Sequence, residues 1–114
     1  MSVSRDIQRV AELESDEMSV QARIDRLQFR ADMYKQLLEV EEGLVVRFNA
    51  YPVPERIKDE AHALRVQYDS VHYNRIIAGV GLFEAKMELY YATGEDEQQW
   101  PPQLRRHHPK YDRI

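Results

Sequence analysis

Apolar residues recur through the first half of this chain at intervals that alternate between three and four. They run Val10, Leu13, Val20, Ile24, Leu27, Ala31, Tyr34, Leu38, Val45 and Phe48, interrupted only by Glu17 and Glu41. A second run, Ile57, Ala61, Leu64, Tyr68, Val71, Ala78, Leu82, Ala85, Leu89 and Ala92, is interrupted only by Arg75. Three-four spacing kept up over this length marks the seam of one helix packed on another. The pattern predicts an all-α protein: an antiparallel hairpin of two long helices, about 15–48 and 54–93, followed by an irregular C-terminal tail. Each helix would be roughly 50–60 Å long at 1.5 Å per residue.

The breakers agree with those bounds. Ser15-Asp16-Glu17 offers a helix start. Asn49 with Pro52 offers a stop, and Pro54-Glu55 suits the first turn of the second helix, where a missing N–H is harmless and an acid complements the dipole. Thr93-Gly94 ends the second helix and Pro101-Pro102 forbids its resumption. Gly43 costs about 1 kcal/mol inside a helix relative to Ala, and Val45-Val46 would suit a short strand. Val45 and Phe48 keep the register past the glycine, which favours a continuous helix. The chain divides into a hairpin, 1–94, and a tail, 95–114, that is acidic at its start and then basic and rich in Pro and aromatic residues.

A turn near Tyr51 would set residue i of the first helix opposite residue 103 minus i of the second. Glu17 would then face Lys86, Glu41 would face His62, and Arg75 would lie near Asp25 and Asp32. Further apolar residues off the seam (Phe29, Met33, Leu37, Ile76, Ile77, Val80, Phe83, Met87, Tyr90) widen both stripes beyond what two helices can cover. A homodimer or higher oligomeric bundle is therefore expected.

Composition narrows the chemistry. The 114 residues suit one domain, with 43% hydrophobic and 32% charged residues and a mean hydropathy of -0.67. With no cysteine there is no disulfide, thiolate ligand or thiol nucleophile. Met1–Val10 carries Arg5, Asp6 and Arg9 and does not read as a signal peptide, and no run of ~18 apolar residues would span a bilayer, so a cytoplasmic location without membrane association is expected. A net charge of -4 argues against wrapping duplex nucleic acid.

Asp59 with His62 and Asp69 with His72 have the i, i+3 spacing of helix-borne metal ligands, but ten residues of helix hold the two pairs ~15 Å apart. Surface or seam histidines paired with acids are the expected reading, and His107-His108 is expected to be a solvated loop pair. Gly79-Val80-Gly81 lacks the third glycine and the Lys-Ser/Thr of a phosphate loop and is expected to admit a close helix neighbour or a kink. No Ser/His/Asp set is recognisable, so neither an enzyme nor a cofactor is expected.

Cations suggest binding instead. Arg23, Arg26 and Arg30 form one helical stripe, with Asp25 and Asp32 available to neutralise it. In the tail, Trp100, Arg105, Arg106, Lys110, Tyr111 and Arg113 alternate basic and aromatic side chains along a Pro-stiffened chain, which is how single strands are held: cations on phosphates, rings under bases. The alternative is that Trp100, Leu104 and Tyr111 anchor the tail to the hairpin or to a sister subunit. In its small size, lack of cysteine, helical hairpin and Arg/Tyr-bearing surface, the chain resembles the small helical single-stranded-DNA-binding cofactors of RNA polymerase found in lytic bacteriophages. The resemblance implies a viral accessory factor in transcription or replication that binds unwound DNA and recruits a polymerase. The leading expectation is a non-enzymatic, self-associating protein that binds single-stranded nucleic acid. The other is a coiled-coil module (adaptor, assembly factor or inhibitor) that contacts a protein partner and no nucleic acid.

Overall fold

The computed structural model describes residues 18–112. Two long helices, α1 (Val20–Asn49) and α2 (Asp59–Thr93), fold back on each other as a hairpin, and no strand occurs among the described residues. The proposed start at Ser15 lies outside the described residues. Ser19 caps α1, its hydroxyl accepting from the Ala22 N–H at 3.0 Å. The helix passes through Gly43 without a break, and nothing lies within 4 Å of where a Cβ would stand there. Pro54 does not open the second helix. It starts a separate 3-10 turn, Val53–Ile57, and Lys58 in extended conformation separates that turn from α2. Gly94, at φ +68, ends α2 in a conformation that favours glycine, and its N–H bonds back to the Tyr90 carbonyl at 2.7 Å.

The seam follows the positions read from the spacing: Leu27, Ala61, Leu64, Ala78, Ala85 and Leu89 are buried, and Ile24, Ala31, Tyr34, Leu38, Phe48, Tyr68, Val71 and Leu82 are partly buried. Its ends differ. Ile57 is 88% exposed because it sits in the 3-10 turn rather than on α2, and Leu44 rather than Val45 is buried near the turn.

The pairing register also differs from the one expected. Glu41 meets His72, not His62, and Tyr34 lies against Gly79, so facing residues sum to 113 rather than 103. The reason is the connection. It occupies residues 50–58 and carries the chain past the end of α1, so Leu64, not the start of α2, lies beside Ala50 and Pro52. Arg75 consequently pairs with Glu41 and reaches the Tyr34 hydroxyl at 3.5 Å, while Asp25 and Asp32 accept from Gln21 and Gln28 on their own helix. Lys86 pairs with Asp112 at 2.7 Å; Glu17 lies outside the described residues.

The tail is part of the core. Three 3-10 turns, Glu97–Gln99, Pro102–His107 and Pro109–Tyr111, fold it back over the open end of the hairpin. Trp100 and Leu104 close one cluster with Leu27, Ala85 and Leu89, flanked by Ile24, Leu82 and Tyr90. The buried indole N–H donates to the Thr93 hydroxyl at 2.7 Å, which donates in turn to the Leu89 carbonyl at 2.8 Å. His108, fully buried, lies between the rings of Trp100 and Tyr90. Lys110 N–H donates to its Nδ1, so Nε2 carries the hydrogen and donates to the Gly94 carbonyl.

Candidate functional site

α2 is apolar on two sides. Its inner side faces α1 through Ala78, Leu82 and Ala85, while Ile76, Ile77, Val80 and Phe83 are 49–56% exposed. Val80 stands two residues from both Ala78 and Leu82, about 200° round the helix, so it points away from the hairpin. The face extends in both directions at seven-residue spacing: Val66, Tyr73 and Val80 share one line, and Met87 continues it. Val66, Tyr73 and, beyond the line, Tyr91 are exposed.

Between Ile76 and Phe83 the helix carries no charge on any side. Arg75, just before this stretch, is turned into the seam by Glu41, and Lys86, just after it, is held by Asp112, with its ammonium 5.8 Å from the Phe83 ring centroid. A helix that is apolar all round is normally covered all round. Here α1 covers one side, and no described residue closes over Val80.

The two glycines in this stretch face α1. A Cβ on Gly79 would stand 3.4 Å from the Tyr34 ring, and one on Gly81 3.4 Å from the Arg30 guanidinium, ordinary van der Waals distances that leave room for a methyl group.

Beside this face is a polar cluster in the seam. Glu41, 8% exposed, accepts from Arg75 and lies 3.0 Å from His72 Nδ1, and the His72 ring stacks on Tyr68. The Arg75 hydrogen bond, opposed by partial burial and reinforced by His72, holds the Glu41 carboxyl below its ordinary range. The same bond raises Arg75. Toward the turn, Leu44, Val45, Phe48, Arg65, Tyr68 and Asp69 line a groove of about 180 Å³.

The residues expected to bind nucleic acid do not gather into one open surface. Arg23 donates to the Glu88 carbonyl at 2.6 Å and to the Met18 carbonyl at 3.3 Å, and Arg26 pairs with the Glu88 carboxylate at 3.0 Å. Arg30 packs over Gly81. In the tail, Arg105 donates to the carbonyls of Glu97 and Trp100, Lys110 pairs with Glu97 at 2.8 Å, and the Tyr111 hydroxyl donates to the same carboxylate at 2.6 Å. Those two partners hold Glu97 below the ordinary range, and Glu97 raises Lys110. Arg106 is exposed and, among the described residues, makes a 3.4 Å contact to the neighbouring His107. Burial lowers His107, with Arg106 and Lys86 acting in the same direction. Arg113 lies outside the described residues. Trp100 needs correction as a stacking residue: it is 0% exposed, because its ring fills the gap between the tail and the hairpin.

Among the described residues no three His, Asp or Glu side chains are grouped to hold a metal ion, and no helix is long and apolar enough to cross a membrane. Set against protein-family models, curated proteins and solved structures, the chain matches none.

Ile76, Ile77, Val80 and Phe83 stand out in the sequence as surplus to the seam, whereas Val66, Tyr73 and Tyr91 join the same face only in the structure. The Val66–Tyr73–Val80–Met87 heptad was the signal that would have added the first two.

Proposed function

We propose that the protein is a non-enzymatic helical docking module that works through the outer face of α2. The observation that carries this reading is the charge-free stretch from Ile76 to Phe83, half exposed on the side away from α1. Apolar side chains aligned over several turns mark a contact surface, because water is expelled when a second apolar surface meets them. The state of the cations supports the same reading. Glu88, Glu97 and Asp112 or backbone carbonyls engage Arg23, Arg26, Lys86, Arg105 and Lys110, and a phosphate chain would have to displace those partners.

The test has two arms. In the first, wild type and a Val80→Glu variant of unchanged helicity serve as bait. Protein captured by wild type and lost by the variant supports docking through this face. In the second, a labelled single-stranded oligonucleotide is titrated at low and high salt. Binding that weakens steeply with salt and is untouched by Val80→Glu, together with identical capture by both baits, overturns the reading in favour of single-stranded nucleic acid as the ligand.

A further inference from the structure

Three features beyond the seam invite a ligand. The groove beside Phe48 is small and open, and the Glu41–His72–Arg75 cluster satisfies itself within the seam. The outer face of α2 is the third, and it has both the extent and the chemistry of an interface.

From Val66 to Tyr91 the face runs about 38 Å at 1.5 Å per residue. Its exposed apolar side chains, three of them aromatic, present on the order of 700 Å², close to the ~800 Å² per partner that a stable dimer buries. An uncharged centre is also complementary to itself, so two copies can meet there without setting like charges together.

We infer that the occupant of this face is a second copy of the same chain, packed antiparallel, α2 against α2, to give a four-helix bundle with an α1 on each flank. This rests on the docking reading above and adds the partner to it. A parallel arrangement would set Asp69, Glu84 and Glu95 each against its own copy. Antiparallel packing removes those self-pairings: the Glu84–Glu95 end of one copy meets an end of the other whose charges are mixed, Lys58 and Arg65 standing among Glu55, Asp59, Glu60 and Asp69. It also opposes the two helix dipoles. With Val80 of one copy on Ile77 of the other, Val66 meets Tyr91, and the charge-free stretches overlap along their length. The antiparallel order holds the two tails at opposite ends of the bundle, clear of each other.

Sedimentation equilibrium of the wild type up to ~100 μM is the first measurement, since a contact of this size is expected to associate well below that concentration. The expected mass is that of two 13.6 kDa chains. Val80→Glu should weaken association roughly a hundredfold or more by burying an unpaired carboxylate near the two-fold axis. The lack of cysteine permits a single spin label through Val66→Cys. The two labels of an antiparallel dimer should lie about 40 Å apart.

A wild type that stays monomeric overturns the second copy as occupant. The docking reading is then decided separately by the capture experiment. A dimer that Val80→Glu leaves intact likewise overturns the second copy as occupant of this face, and a short label-to-label distance overturns the antiparallel order.

Discussion

The inner side of the last turns of α2 and the outer side of its middle are both apolar, yet one is sealed and the other is half exposed. Ala85 and Leu89 are at most 1% exposed, whereas Ile76, Ile77, Val80 and Phe83 are about half exposed. The difference lies in what the chain lays over each. Trp100 and Leu104 fold back onto the end of α2 beside Leu27, with Thr93 and His108 satisfying the polar groups that the fold encloses. No described residue does this for the middle. An apolar pattern therefore reports that a face is to be covered and leaves open whether the cover is the chain's own tail or another molecule. The tail, for which binding a ligand and anchoring to the hairpin were both expected roles, is the cover at one end, and the helix middle, expected to exceed what two helices can cover, is the face left over.

The sharpest way to break this contrast is to remove the seal. Trp100→Ala should cost about 3–5 kcal/mol of stability and expose residues 95–112 to protease, read by urea unfolding and limited proteolysis. A loss no larger than that of a surface substitution would mean that the tail is not part of the core. Leu104→Ala should cost about 2–4 kcal/mol by the same mechanism, leaving a cavity beside Leu27.

The seam cluster should respond to acid. Because Arg75 holds the Glu41 carboxyl below its ordinary value of 4.5, the bond stabilises the fold at neutral pH, and its contribution is lost as pH falls through the lowered value. Glu97, lowered by Lys110 and Tyr111, adds to the same acid loss at the tail. Glu41→Gln should cost about 1–3 kcal/mol at pH 7 and flatten the acid limb of a stability–pH profile. An unchanged profile would remove the seam role of Glu41. The smallest effect is a gain. Gly43→Ala, on an open helical surface, should stabilise by about 0.5–1 kcal/mol in thermal or denaturant unfolding.

The hairpin was legible because a seam between two long helices imposes its period on the sequence, and positions such as Leu27, Leu64, Ala78 and Leu89 followed it. Pairing register was not legible. It depends on how many residues the turn consumes, and neither Pro52 nor Pro54 says that a 3-10 turn and an extended Lys58 will come between the helices. Which of its two roles the tail takes was not legible, for a different reason. Trp100, Arg105 and Lys110 look alike in sequence whether they meet a ligand or their own fold, and only the folded chain brings Glu97 to Lys110 and Thr93 to the indole. Glu41 and Arg75 were correctly marked as interruptions of the two seams. That they answer each other appeared only once the register was known.

Oxidative footprinting of aromatic and aliphatic side chains, comparing wild type with Val80→Glu in the same solution, tests the central claim most directly. If a second copy covers the middle of α2, Tyr73 and Phe83 will be labelled faster in the variant than in wild type, while Trp100 stays protected in both. Equal labelling of Tyr73 and Phe83 in the two proteins would contradict a second copy as that cover.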